Sequence, residues 1–137
     1  MGITVATGNE ILRDNFAPWV QALGLTVERI EERAAVLRLP WSDQLAREGG
    51  ALSGQAMAAA ADTATVIAIS AARGSYGPMT TVQLSLTFQR PVVDTDLLVT
   101  ARLDKIGRSL AFADVTLTPE GGTDPAARAA TVYALLG

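Results

Sequence analysis

Between Asn9 and Leu23 the apolar residues Ile11, Leu12, Phe16, Trp19, Val20 and Leu23 recur at helical spacing, which predicts a short amphipathic helix. Pro18 falls inside it and is expected to break or kink it, and Gly24 is a stop signal. Thr26 to Leu39 is strand-like, with Val27, Ile30, Ala34, Val36 and Arg38 set among charges in an imperfect alternation that Pro40 ends. Trp41 to Gly50 reads as a polar loop closed by Gly49-Gly50.

Ser53 to Ala72 has a different texture. It holds nine alanines together with Met57, Val66, Ile67 and Ile69, and it is nearly apolar all round. Such a helix is buried on most sides. Ser53 is a good N-cap and Gly74 a good stop. From Met79 the period drops to two: Val82, Leu84, Leu86 and Phe88 alternate with Thr81, Gln83, Ser85 and Thr87 until Arg90-Pro91. A second strand, Asp96 to Lys105, carries Leu97, Val99, Ala101 and Leu103 on one face. Ile106-Gly107-Arg108 reads as a turn. Ser109 to Thr118 is a third strand whose apolar register slips between Phe112 and Ala113, where a bulge is expected. Pro119 to Pro125 is a loop and Ala126 to Leu136 a last strand. No repeat, low-complexity linker or boundary divides the chain, so residues 1–137 are expected to form one domain, with a helix over 9–23 and a core over 26–136.

This order predicts an α+β domain in which a curved antiparallel sheet of about five strands packs around the long alanine-rich helix. Such a sheet would bury the helix on one side only. The helix's other apolar faces and the free edge of the sheet then call for a second copy, so a homodimer is expected, with a dimer of dimers open.

Composition narrows the chemistry. A chain of 137 residues suits one core, and one this long buries about two-thirds of its unfolded surface. Apolar residues make up 49%, yet only 5% are aromatic, which suits close packing through small side chains. With a net charge of −3 there is no basic footprint for nucleic acid or an anionic membrane, and neither is an expected partner. The absence of cysteine removes thiol nucleophiles, disulfides and thiolate metal sites, and the absence of histidine removes the Ser-His-Asp triad and imidazole ligands. Carboxylates, hydroxyls, Lys/Arg, backbone amides or a cofactor are left. The opening MGITVATGNE lacks the features of a signal peptide, and Asp62, Thr63 and Thr65 interrupt the longest apolar run, so a cytoplasmic protein is expected.

Asp62 stands out first. Its helical neighbours Ala58, Ala59, Thr65 and Val66 offer no cation. A carboxylate on a buried apolar helix is costly unless it is hydrogen-bonded, and desolvation would raise its pKa, as suits a general base or nucleophile. The plainer reading is an aspartate on the helix's one wet stripe, paired with an arginine across a subunit contact. Ser53-Gly54-Gln55 opens the same helix, where free N–H groups and a glycine could form an oxyanion hole; the plainer reading is a good cap. Gly54 and Asp62 are eight residues apart, about 12 Å along a helix. One carbonyl cannot touch both on one helix, but two antiparallel helices across a two-fold would bring Gly54 of one chain to Asp62 of the other. Gly107-Arg108-Ser109-Leu110-Ala111 resembles a nucleophile elbow only superficially. Asp94, Asp96 and Asp104 could bind a hard cation but read more simply as solvated turn residues. Arg90, Lys105 and Arg108 flank strand ends, where they could reach ligand phosphates.

The runs LSGQAMAAAADTA, TTVQLSLTFQRP, DLLVTARL and GRSLAFADVTL resemble the hot-dog-fold acyl-CoA thioesterases of the phenylacetate-degradation (PaaI-type) subfamily, over about Gly49 to Leu136. In that family the helix opens with a His-Gly-Gly-like motif, and an acid nine residues after the histidine is catalytic. Ser53 stands at the histidine position, Gly54 and Gln55 at the glycines and Asp62 at the acid. The resemblance further implies that Thr81 helps to hold the attacking water, and that Arg90, Lys105 and Arg108 contact the CoA nucleotide. Where some members have an assisting Asn, this chain has Arg47, which cannot accept a hydrogen bond. The implied activity is cofactor-free hydrolysis of an acyl-CoA, with Gly54 or Gln55 polarising the carbonyl and Asp62 acting as base or nucleophile; Ser53 and Gln55 would border the substrate. The alternative is a non-catalytic acyl-CoA-binding or regulatory protein whose helix mouth has drifted.

Overall fold

The computed structural model describes residues 2–137. Two short helices, α1 (Val5–Asp14) and α2 (Pro18–Gln21), precede a hairpin of β1 (Thr26–Glu31) and β2 (Ala34–Leu39). The long helix α3 (Gly54–Arg73) follows, then β3 (Met79–Phe88), β4 (Leu97–Ile106), β5 (Leu110–Pro119) and β6 (Ala127–Leu135). All six strands form one antiparallel sheet in the order β1-β2-β4-β5-β6-β3. The chain leaves β2, runs along the sheet as α3 and re-enters at the far edge as β3. A sheet wrapped round one helix in this way is the hot-dog fold.

The sheet has six strands where about five were expected. The single strand read over Thr26 to Leu39 is two strands folded back at Glu32-Arg33, with a further register shift between Val27 and Arg29. That reversal is why the alternation there is imperfect. β2 is buried at Ala34, Ala35, Val36, Leu37 and Leu39, so it has no polar face to alternate with. The helix expected over 9–23 is also two. Pro18 takes the first position of α2, where a missing N–H costs nothing, and α1 begins earlier under a cap in which Thr4 Oγ1 accepts from the Thr7 N–H at 3.0 Å.

α3 follows its sequence closely. Ser53 Oγ accepts from the Ala56 N–H at 3.2 Å, and Gly74 closes the other end at φ 84, a left-handed conformation that glycine adopts at no steric cost. The helix packs chiefly on β4 and β2, and Ala60, Ala61, Ala64 and Ala68 have no exposed surface. By length and composition it could cross a membrane, yet here it is the core of the sheet. It is covered more fully by its own chain than the expected one-sided burial. Before its last turn only Gly54, Gln55, Ala58, Ala59 and Asp62 keep some exposure. Buried hydroxyls are satisfied: Thr65 Oγ1 donates to the Ala61 carbonyl at 2.9 Å and meets Thr131 Oγ1 of β6 at 2.9 Å.

Outside the core, Arg38 of β2 joins three segments. It reaches Glu28 at 3.1 Å, Asp96 at 2.9 Å and Glu120 at 2.7 Å. The Trp41 backbone N–H and then Arg38 hold the Asp96 carboxyl below the usual range, and Arg38 does the same for Glu120.

Because the alanines leave no slack under the sheet, Ala64→Leu should overpack the contact and lower the unfolding free energy by about 1–3 kcal/mol. Urea unfolding followed by circular dichroism measures this, and an unchanged midpoint would mean that the sheet can move away from the helix.

Candidate active site

Asp62 lies on the partly open stripe of α3, and β3 and β6 reach over it. Thr81 Oγ1 donates to Asp62 Oδ1 at 2.9 Å. The Tyr133 hydroxyl lies 2.6 Å from the same Oδ1 and 3.0 Å from the Asp62 carbonyl oxygen. It has one hydrogen to give, and the shorter, charge-assisted contact takes it. Both donors therefore converge on one carboxylate oxygen. Among the described residues no hydrogen bond engages Oδ2. The two hydroxyls supply the compensation that a carboxylate in apolar surroundings needs.

The convergence has a cause in the sheet. Thr81 stands directly opposite Tyr133 in the β3–β6 ladder, where facing side chains share one side of the sheet with Cβ atoms about 5 Å apart. Plain alternation puts Thr81 with Gln83, Ser85 and Thr87, away from Leu84 and Leu86. In the structure a bulge between Thr81 and Gln83 makes Val82 an extra residue, 58% exposed. Thr81 consequently shares the inner face with Leu84, Leu86 and Phe88, opposite buried Tyr133, Thr131, Ala129 and Ala127. The irregularity expected at Phe112 and Ala113 is present opposite them, where the β4 register shifts between Leu103 and Lys105. On β5 itself Ala111, Ala113, Val115 and Leu117 alternate without a slip.

Tyr133 is the residue that the sequence reading missed. Its only signal is its place on the buried face of the last strand, after Ala127, Ala129 and Thr131. Burial, the Asp62 charge and the hydrogen bond to Asp62 raise its pKa above the ordinary tyrosine value of 10.0, so the hydroxyl remains a donor.

The mouth of α3 forms a second assembly. Ser53 is engaged as the cap, while the backbone N–H groups of Gly54 and Gln55 find no partner among the described residues. The Phe88 ring lies over Gly54: a Cβ there would sit 3.3 Å from the ring's Cζ. A cleft of about 410 Å³ opens at this point, lined by Arg47, Leu52, Gly54, Met57, Phe88 and Arg90 among others. The Gln55 side chain is exposed. Arg90 is 3.9 Å from exposed Asp124, and Arg47 Nη1 donates to the Glu48 carbonyl at 2.9 Å. A second cleft, of about 330 Å³ between α1, α2 and β1, shares no residue with either assembly.

One chain thus brings Asp62 together with Thr81, and Gly54 together with Arg90, as two separate half-sites. Lys105 and Arg108 join neither. They lie at the β4–β5 turn, at the end of the sheet where β3 begins, whereas Arg90 follows the end of β3; ten residues of strand span roughly 30 Å. Asp94 and Asp96 do not meet Asp104, which lies towards the other end of β4, and Asp96 is taken up by Arg38 and Trp41. Among the described residues no cluster of three carboxylates is placed to hold a metal.

The raised Tyr133 fixes the sign of a pH effect. Below pH 10 the hydroxyl is protonated folded or unfolded, and its contribution to stability is fully present. Above that the unfolded chain ionises first, so stability falls as pH rises. Unfolding midpoints from pH 8 to 11 should decline at the alkaline end, and Tyr133→Phe should remove part of that decline. Equal alkaline slopes for the two proteins would deny that the contact with Asp62 shifts the tyrosine.

Residues 49–126, more than half of the chain, match the family model described as the thioesterase superfamily. No curated protein matches the sequence. Among solved structures the chain is similar to a candidate thioesterase from Silicibacter, at 30% identity and a TM-score of 0.87, covering 98% of this chain and 93% of that one. It is also similar to zebrafish thioesterase superfamily member 2, at 26% identity and 0.85, covering 98% and 99%. The Escherichia coli PaaI protein from the phenylacetic acid degradation operon shares the fold at 18% identity and 0.82, covering 98% and 97%.

Proposed function

The chain belongs to the thioesterase superfamily, and from that premise we propose that it hydrolyses an acyl-CoA to the free acid and CoA, in the manner of the PaaI-type enzymes. The observation that carries the reading is Asp62 itself: one oxygen is held by Thr81 and Tyr133, and the other is left open to a reactant. In this mechanism the thioester carbonyl accepts hydrogen bonds from the N–H groups of Gly54 and Gln55, aided by the positive end of α3. Asp62 Oδ2 takes a proton from water as the water attacks, or attacks the carbonyl directly to give an anhydride that water opens. Either route adds one water, breaks the C–S bond and releases a thiol. Thr81 helps to seat the water while Tyr133 fixes the carboxylate.

The two half-sites are about 12 Å apart along one helix, so the reaction needs a partner chain. A homodimer with antiparallel α3 helices would set Gly54 of one chain against Asp62 of the other. Three features support it. The open stripe between those residues is Ala58 and Ala59, small enough for close approach. Val82 and Phe88 on β3 are 58% and 50% exposed. β3 is also an unpaired edge, which a second β3 could cover. Antiparallel pairing of two β3 strands would bring Lys105 and Arg108 of one chain towards Arg90 of the other, a basic rim suited to the phosphates of CoA.

Thiol release from aryl and aliphatic acyl-CoAs tests the reaction, and a chain without cysteine adds no background to a thiol-reactive dye. Asp62→Asn should lower turnover by roughly 10²–10⁴-fold, with a smaller loss for Thr81→Val. Turnover within a few-fold of wild type in Asp62→Asn would end this mechanism. Binding of acyl-CoA without release from any substrate would favour a non-catalytic binding protein, a reading for which Ser53 and Gln55 at the helix mouth are the motive.

The shared site has its own test. Ala58→Arg should convert a dimer of 14.3 kDa chains to monomer in sedimentation velocity and abolish turnover with the fold intact. A wild type that sediments as a fully active monomer would exclude the two-chain site.

A further inference from the structure

The cleft between α1, α2 and β1 is a preformed space that the proposed reaction does not use. α1 is pinned against β1 at two adjacent residues. Gly8 lies so close to Val27 that a Cβ there would sit 2.9 Å from Val27 Cγ2, and Asn9 Oδ1 accepts from the Val27 N–H at 2.9 Å. Beyond these contacts the chain turns off through α2 and leaves a cleft of about 330 Å³, at the small end of ligand sites. Its apolar wall is Leu12, Phe16, Val20 and Leu25, all packed in or against the core.

The free polar groups gather on one side of it. Asn9 and Arg13 are four residues apart on α1, so they stand one above the other on a single face. The Asn9 amide is held in place through its oxygen, and its Nδ2 has no hydrogen-bond partner among the described residues. Arg13 is the one charged side chain of the lining, and no carboxylate lines it. The guanidinium pairs only with Asp14, at 3.7 Å and with both side chains exposed, a contact worth little in water. Gln21 is already engaged, since its Nε2 donates to the Phe16 carbonyl at 2.7 Å. A cation and an amide donor beside a small apolar wall match an organic anion of single charge.

We propose that this cleft binds a small carboxylic acid with an apolar body, its carboxylate on Arg13 and Asn9 and its hydrocarbon on Leu12, Phe16, Val20 and Leu25. β1 and β3 are opposite edges of the sheet, so the cleft stays open in the antiparallel two-chain arrangement. An acid of this class is also what hydrolysis of an acyl-CoA releases. That the ligand is the enzyme's own product rests on the hydrolase reading, while the site rests on the cleft alone.

Calorimetry with benzoate, phenylacetate, hexanoate and octanoate tests the site, each acid beside its uncharged primary amide, in wild type, Arg13→Gln and Val20→Trp. Backbone amide shifts read by NMR locate the bound acid. They should move between Leu12 and Thr26 and stay fixed at Gly54, Asp62 and Thr81. Arg13→Gln should weaken the acids about tenfold and leave the amides unchanged, since only the charge-assisted contact is lost. Val20→Trp fills the cleft and should remove acids and amides alike. Arg13 is exposed, so its variant keeps the proposal testable if Val20→Trp fails to fold. Acids that bind all three proteins equally, with shifts at Gly54 and Asp62, overturn the proposal and leave hydrolysis standing. No binding of any acid up to about 10 mM also overturns it. Binding at the cleft with no thiol release from any acyl-CoA upholds the site and overturns the hydrolase reading.

Discussion

The fold depends on a twenty-residue helix fitting inside one curved sheet. Hydrophobic burial drives the contact, but the geometry is set by size. A sheet that bends round a helix must come close along most of its length, and only short side chains allow that without strain. Ala60, Ala61, Ala64 and Ala68 are accordingly fully buried, as are Ile67 and Ile69. The same requirement makes a helix with no polar face inside a domain with few aromatic residues. It also brings the one carboxylate on that helix up against the sheet, since the sheet curls over every side but a narrow stripe.

Much of this was legible in the sequence. The alanine run, its cap at Ser53 and its stop at Gly74 marked the helix to within a residue at each end, because cap chemistry is local. β4 was equally legible because its apolar face alternates cleanly. The hairpin of β1 and β2 was not. Its turn, Glu32-Arg33, has neither glycine nor proline, and β2 is apolar on both faces, so neither periodicity nor turn chemistry announced the reversal. Of the break or kink expected at Pro18, the structure has the break, since proline suits the first position of a new helix.

The candidate site divides along the same line between local and long-range information. Asp62 and Gly54 could be picked out from the helix alone, by the cost of an unpaired charge and the freedom of a glycine at a helix mouth. Thr81 came through family resemblance, while plain alternation placed it on the wrong face. Tyr133 could not be found, because its partnership with Thr81 depends on how two strands far apart in sequence align. Lys105 and Arg108 were grouped with Arg90 because each flanks a strand, a criterion blind to which end of the sheet a strand end occupies.

The extra residue in β3 has a bearing on how such a chain can change over time. A single-residue deletion at Val82 would close the bulge and give a more regular strand, with the edge better ordered for pairing. Thr81 would stay opposite Tyr133. If instead the strand were straightened with Val82 kept, Thr81 and every residue before it would turn to the other side of the sheet, and position 81 would no longer face Asp62. The hot-dog core would still form, since Leu84 and Leu86 lie beyond the change. Straightening this one irregularity with its residue kept would therefore separate the fold from its chemistry in a single step. Among relatives of such a protein, the residue that stands opposite the last strand's tyrosine, rather than the length of the strand, is a feature by which members that keep the chemistry can be told from those that keep only the shape.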